Sequence, residues 1–216
     1  MPGYRTRQLV VRIGGHDFQI RALSDLQQFS DPHRFAERLG ISSAQWSLFG
    51  QVWPSGRVLA EAMCTVEIAH RRILEIGCGL GLSSLVLQRR GADITASDQH
   101  PLAKSFLARN SRLNGLDSVP YQDLHWAIPH ETLGRFDLLV GSDILYERDH
   151  IDLLAGVLDR HANTCSQIIF TDPGRGNSAP FTRALAAQGY NVSEVRSRFN
   201  ESDLPPFRGR LLSYQR

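Results

Sequence analysis

The stretch Leu74-Glu75-Ile76-Gly77-Cys78-Gly79-Leu80-Gly81-Leu82 runs from a short apolar segment through three alternating glycines into a second apolar segment. That is the order strand, glycine-rich turn, helix, which a nucleotide-binding loop requires. Gly77 permits the sharp exit from the strand, Gly79 lets the backbone approach a ligand, and Gly81 allows tight helix–strand packing. A glycine triplet alone is also compatible with a plain tight turn. The spacing here is GxGxG rather than the GxGxxG of dinucleotide enzymes, and Glu75 stands where a dehydrogenase strand stays apolar.

Downstream of this loop, strands and helices alternate. Leu82 to Arg90 reads as a helix, and DITASD (93–98) as a second strand. It ends in Asp98, about 20 residues beyond the loop, where a carboxylate can accept both hydroxyls of a ribose. The same aspartate could simply cap the turn Asp98-Gln99-His100-Pro101. Leu102 to Leu113 is helical, VPYQDL (119–124) is a third strand, and FDLLVGSD (136–143) is a fourth. That fourth run is almost uninterruptedly apolar, as a strand covered on both faces must be. A helix from His150 to His161, a fifth strand SQIIFTD (166–172) and a helix from Pro180 to Gln188 follow. NVSEVRSRF (191–199) and GRLLSYQR (209–216) have no helix between them and should pair antiparallel at one edge. The pattern predicts an α/β fold: a doubly wound, seven-stranded, mostly parallel sheet of Rossmann-like type.

Upstream, QLVVRI and DFQIRAL flank Gly14-Gly15-His16, a β-hairpin with a glycine-permitted turn. SDPHRFAERLG (30–40) reads as a short helix, with Ser30 or Asp31 as cap, Pro32 in the first turn and Gly40 as stop. AQWSLFGQVWPSG (44–56) is aromatic and broken by Gly and Pro, a loop leading into a helix near Ser55. The expected organisation is therefore a hairpin-and-helix extension over 1–49 and a nucleoside-binding domain over 50–216.

Composition excludes several classes. The chain has 216 residues, 42% hydrophobic and 21% charged, near the globular norm. No apolar run reaches the ~18 residues of a spanning helix, and MPGYRTRQLV lacks the apolar core of a secretory signal. A cytoplasmic protein without membrane association is expected. Cys64, Cys78 and Cys165 form no CxxC pair, and the histidines show no HxxxH or HExxH spacing, so neither disulfides nor a metal site are expected. The formal charge of +2 is mild and the basic residues are scattered, which argues against a nucleic-acid footprint. Nothing in the sequence specifies an oligomeric state.

Taken together, Glu75-Ile-Gly-Cys-Gly-Leu-Gly and Asp98 resemble the nucleoside-binding half of class I S-adenosylmethionine-dependent methyltransferases. FGQVWPSGRVLA (49–60), the lone Trp126 and GSDILYE (141–147) narrow the resemblance to the methyltransferase-like protein-lysine methyltransferases, also grouped as methyltransferase family 16. It is specific from about Phe49 to Leu153 and thins on either side. The resemblance implies S-adenosyl-L-methionine as cofactor, a cofactor site lined by Trp53, Glu75, Gly77, Cys78, Gly79, Asp98, Gln99, Asp123, Trp126 and Ser142, and a protein lysine as acceptor. Family members often carry an acid two residues before the tryptophan; Leu124 stands there, so Asp123 is assigned to the adenine amino group.

In the resembled enzymes the DxxY segment, here Asp143-Ile144-Leu145-Tyr146, faces the methyl donor and receives the target side chain. A lysine must lose its proton before it can attack, at a cost of roughly 4–5 kcal/mol at pH 7. A carboxylate favours the ammonium instead. Asp143 is therefore expected to dock and orient the incoming cation, and Tyr146 to complete the wall by its hydroxyl or its ring. TDPGRGNS (171–178) is expected to form a loop on the substrate side. Other readings remain: a small-molecule, nicotinamide-like N-methyltransferase, and a catalytically silent cofactor-binding module. Lys104 is the chain's single lysine, through arginine-favouring codon usage or through avoidance of self-modification.

Overall fold

The structure is a computed structural model that describes residues 4–28, 34–38, 40–41, 43–199 and 207–216. Its first elements are strands β1 (Thr6–Ile13) and β2 (His16–Leu23), paired antiparallel with Ile13 opposite His16. Gly14 and Gly15 form the two-residue turn with φ of 55° and 81°, the left-handed pair that a tight hairpin needs. Short helices α1 (Phe35–Arg38) and α2 (Ser43–Trp46) precede the longer α3 (Pro54–Met63). Trp46, expected in a loop, thus belongs to a helical turn. The proposed caps Ser30 and Asp31, with Pro32, lie outside the described residues.

The alternating part contains β3 (Arg72–Ile76), α4 (Leu82–Arg89), β4 (Asp93–Asp98), α5 (Ala103–Leu113), β5 (Tyr121–Asp123) and β6 (Phe136–Ser142). It continues with α6 (His150–His161), β7 (Ala162–Asp172), α7 (Ser178–Ala187), β8 (Asn191–Phe199) and β9 (Phe207–Gln215). Seven strands form one sheet in the order β5-β4-β3-β6-β7-β9-β8. All neighbouring pairs up to β7 are parallel, whereas β9 runs antiparallel to both β7 and β8. The last two strands pair as expected, and the sequence-final one lies inside the edge rather than on it.

Two cores cover the two faces. Alternate residues of β3 divide between them: Ile73 joins the hairpin, α3, α4 and α5, while Leu74 and Ile76 join α6 and α7. The hairpin residues Ile13, Phe18, Ile20 and Leu23 share their core with Leu59, Met63 and Leu85. The outer edge of β2 meets α5 through amide side chains. Asn110 Oδ1 accepts the Arg21 N–H and Asn114 Oδ1 accepts the Gln19 N–H, both at 2.8 Å. These asparagines, one helical turn apart, act as a strand edge for β2. Strand order reverses between β3 and β6, and there the sheet's carboxyl ends open a crevice.

Candidate functional site

A cleft of about 390 Å3 lies at that switch point, a size suited to a nucleoside-class ligand. The loop after β3 forms its floor. The Cys78 N–H donates to Ser97 O at 2.9 Å and the Gly79 N–H to Asp98 Oδ2 at 2.8 Å, which fastens the loop to the end of β4. Gly81 has φ 83°, and a Cβ there would come within 2.3 Å of Leu107 on α5. Its smallness therefore serves contact with α5, not with the preceding strand. A Cβ on Gly79 would meet nothing within 4 Å, so at that point the backbone borders open space.

Glu75 is 3% exposed. Its Oε2 accepts the Ser84 N–H at 2.9 Å and a short bond from Ser84 Oγ. Burial pushes its carboxyl up to about 7 against these bonds. Glu75 borders the cleft and ties β3 to the first turn of α4. Asp98 uses Oδ1 to accept the His100 N–H at 2.8 Å as well as Gly79 on Oδ2. Burial raises its carboxyl, while these N–H groups and that of Gln99 act the other way. Three N–H groups on four lone pairs leave the carboxylate acceptor capacity for a hydroxyl donor. Cys78 is buried with its thiol raised well above the usual range, first by burial and then by Asp98, so no thiolate nucleophile is available.

Of the residues assigned from sequence, Trp53, Glu75, Gly77, Cys78, Gly79, Asp98, Gln99, Trp126, Ser142, Asp143 and Tyr146 all line this one cleft. Asp123 does not line it: it is exposed at the end of β5, and the neighbouring Leu124 is buried. Trp53 is extended, as a residue before proline must be, and its indole N–H donates to Leu48 O at 2.9 Å. Trp126 is 7% exposed and lies edge-on to His150, with ring centroids 4.9 Å apart. Ser142 faces α3, where a Cβ on Gly56 would stand 3.6 Å from its Oγ.

The segment after β6 supplies the other wall. Asp143 has φ 51°, a strained value for a residue with a side chain, and its N–H donates to Thr171 O at 2.9 Å. Its carboxylate, expected to await a cation from outside, already holds one. Arg175 Nε and Nη2 fork onto Oδ1 and Oδ2 at 2.6 and 2.7 Å. Tyr146 lies edge-on to His150 at 4.5 Å, and burial, with Glu147, pushes its hydroxyl up to about 12. It stays protonated at neutral pH. His150 bonds through Nδ1 to Ile144 O at 3.1 Å and so supports both site aromatics.

Arg175, His150 and His100 were not singled out by sequence. His150 opens α6 four residues after Tyr146, which is itself not helical, so no helical spacing announced their ring contact. Arg175 sat in a loop assigned to the substrate side, but nothing in its spacing points to Asp143. His100 lines the cleft, stacked on Phe49 with centroids 4.0 Å apart; burial drives its ring down to about 3, so it is neutral.

A family model described as lysine methyltransferase matches residues 38–182. The mouse electron transfer flavoprotein beta subunit lysine methyltransferase is 29% identical over 156 residues, covering 70% of this chain and 54% of its own length. The zebrafish protein N-lysine methyltransferase METTL21A is 30% identical over 151 residues, covering 65% of this chain and 69% of its own. The chain thus spans about half the length of the first of these relatives. The solved Synechocystis magnesium protoporphyrin IX methyltransferase with bound SAM superposes with a TM-score of 0.58 at 17% identity, covering 77% of this chain and 86% of that one. That likeness shows the Rossmann-like fold. The matched segment contains the glycine loop, Asp98, Trp126 and the whole of Asp143–Tyr146, and the chain belongs to the lysine methyltransferase family.

Proposed function

We propose that the protein is an S-adenosylmethionine-dependent N-methyltransferase whose acceptor is a lysine side chain of a protein. The observation that carries this reading is that a nucleoside-type floor, the glycine loop with Asp98, and an acceptor-type wall, Asp143 with Tyr146, line one cleft. Membership of the lysine methyltransferase family supports it, as do the two relatives named for protein-lysine methylation.

The residues fit the cofactor. Asp98 keeps acceptor capacity for a ribose hydroxyl beside its bonds from the N–H groups of Gly79 and His100. The open side of Gly79 admits a ligand close to the backbone. Trp53 and Trp126 offer apolar walls for the adenosyl and methionyl parts, and Gln99 and Ser142 offer polar edges. Asp123, set outside the lining, is left without a role there. When bound, the cofactor supplies a methyl group on positively charged sulfur, which an amine lone pair takes in line while the carbon–sulfur electron pair returns to sulfur.

This chain's contribution is alignment and dryness. The hydroxyl of Tyr146, held protonated, donates or orients without acting as a base. His100, neutral and buried under Phe49, and Glu75, engaged by Ser84, are not placed to take the acceptor proton. The amine therefore gives its proton to water on entering the low-dielectric cleft, where burial disfavours the ammonium. The direct test incubates the purified protein with radiolabelled S-adenosylmethionine and a lysate of its own cell, then identifies the labelled polypeptide and residue. Labelled lysine is expected; label confined to small molecules would overturn the acceptor assignment. Asp98→Ala should abolish cofactor binding in calorimetry.

A further inference from the structure

Asp143 presents a difficulty for amine chemistry. A bare carboxylate beside the acceptor stabilises the ammonium and deepens the deprotonation cost. In the structure that carboxylate is not bare. Both its oxygens are taken by Arg175, and the Asp143 side chain is 12% exposed against 42% for Arg175. The fork is bidentate, the geometry in which arginine fixes a carboxylate most firmly.

We propose that Arg175 is the counter-charge of the acceptor pocket: by holding Asp143 in a forked ion pair, it prevents that carboxylate from trapping the incoming lysine as its ammonium. Arg175 is then a positioning residue, acting on the acceptor through Asp143, and the proposal rests on the methyltransferase reading above.

Three observations support it. First, Asp143 cannot easily turn away, because its backbone is held left-handed at φ 51° with its N–H on Thr171 O. Second, Arg175 is carried between Gly174 and Gly176, at φ 92° and 90°, and the Gly174 N–H is anchored by Asp172 Oδ1 at 3.1 Å. The loop after β7 is thus shaped to bring a guanidinium across to the segment after β6. Third, among the charges acting on Tyr146, those of Glu147, Asp98 and Asp143 all push its hydroxyl upward and that of Arg175 opposes them. Without Arg175 this wall would carry an uncompensated negative field.

The other titratable groups around the pair are Asp172 behind Arg175, Tyr146, Glu147 and His150 on the segment after β6, and Asp98, Glu75 and His100 on the cofactor side. Tyr146 at about 12 and His100 at about 3 hold one charge state throughout the range in which a lysine activates, and Glu75 at about 7 titrates below it. A shift of the rate profile above pH 8 would therefore report the acceptor amine.

The test compares wild-type protein with Arg175→Gln, Asp143→Asn and the double variant. Calorimetry with S-adenosylmethionine and with S-adenosylhomocysteine needs no acceptor; the two differ by one methyl group and the positive charge it places on sulfur. Arg175→Gln uncovers the carboxylate and should raise the preference for S-adenosylmethionine about three- to tenfold. Asp143→Asn uncovers the guanidinium and should lower it by a similar factor, and the double variant should restore the wild-type ratio. With the polypeptide that the wild type labels in lysate, the pH–rate profile should move up by about one unit in Arg175→Gln and down in Asp143→Asn. Arg175→Lys should retain the wild-type profile. If Arg175→Gln lowers transfer while ratio and profile stay put, Arg175 merely anchors a loop and the proposal fails. Should that variant not fold, an unchanged ratio and profile in Asp143→Asn overturns the proposal equally. Failure of the wild type to bind either compound would instead overturn the methyltransferase reading itself.

Discussion

A buried carboxyl at the end of an apolar strand imposes a pH dependence on the whole chain. Glu75 sits at about 7 when folded, against 4.5 for the free side chain. Between these values the native state keeps a proton that the unfolded chain has lost, so stability falls as pH rises from about 4.5 to 7 and levels off above. The expected loss from this group is on the order of 3 kcal/mol. Glu75→Gln should flatten that slope in urea unfolding at pH 5 and pH 8, because both Ser84 bonds fall on one oxygen that an amide can reproduce. Asp98, also raised by burial, leaves a slope of the same sign; an unchanged slope in the variant would refute the assignment. Tyr146→Phe acts on chemistry instead. Cofactor affinity should hold within about twofold while transfer drops roughly tenfold, the worth of one hydrogen bond, as read from calorimetry beside initial rates. At this scale the sequence was informative where spacing carries meaning. Glu75 and Asp98 could be named because each has a fixed offset from the glycine loop, and Asp143 and Tyr146 because their DxxY segment resembles that of a known family. Arg175 could not, because its partner lies 32 positions away and no local period joins them.

Among the elements, α5 carries more than its amphipathic pattern suggests. Asn110 is fully buried, accepts the Arg21 N–H at 2.8 Å and donates to Leu80 O at 2.9 Å, so one amide joins the N-terminal hairpin to the glycine loop. Asn110→Ala strands two backbone groups and should destabilise the fold by about 2–3 kcal/mol in urea unfolding, with a measurable loss of S-adenosylmethionine affinity through the loosened loop. Asn114→Ala breaks the bonds to Gln19 and the one to Asn110 O, none of which reaches the glycine loop, and should cost less while sparing the cofactor. Equal effects of the two on affinity would deny the link. The hairpin itself was legible from two alternating runs around a glycine pair. Its docking was not, since polar residues on a helix read as solvent-facing until a strand edge is found to claim them. Similarly, β7 begins at Ala162 although 163–165 look like a loop, because α6 ends at His161 and Ala162 pairs directly with Phe136 despite a register shift.

For the whole molecule, the decisive property is that the segments forming the cleft lie far apart in sequence and meet at the strand-order reversal between β3 and β6. Alternation of strand and helix made a doubly wound sheet readable, since continuous apolar strands such as β6 need cover on both faces. The place of β9 inside the edge was not readable, because nothing in an antiparallel pair's own residues says which member faces β7. Since the two cores meet along that sheet, a ligand bridging the ends of β3, β4 and β6 should stabilise the chain as one cooperative unit. At a hundred times its dissociation constant, S-adenosylmethionine should add about 2.7 kcal/mol, which for a chain of this size raises the melting temperature by roughly 5–10 °C. NAD at the same concentration should give no shift, because GxGxG with Glu75 replaces the dinucleotide loop, and Asp98→Ala should erase the shift given by S-adenosylmethionine. A scanning fluorimetry series with both compounds on both proteins reads all four values. Stabilisation by NAD, or by S-adenosylmethionine in the Asp98 variant, would place the nucleoside somewhere other than this crevice.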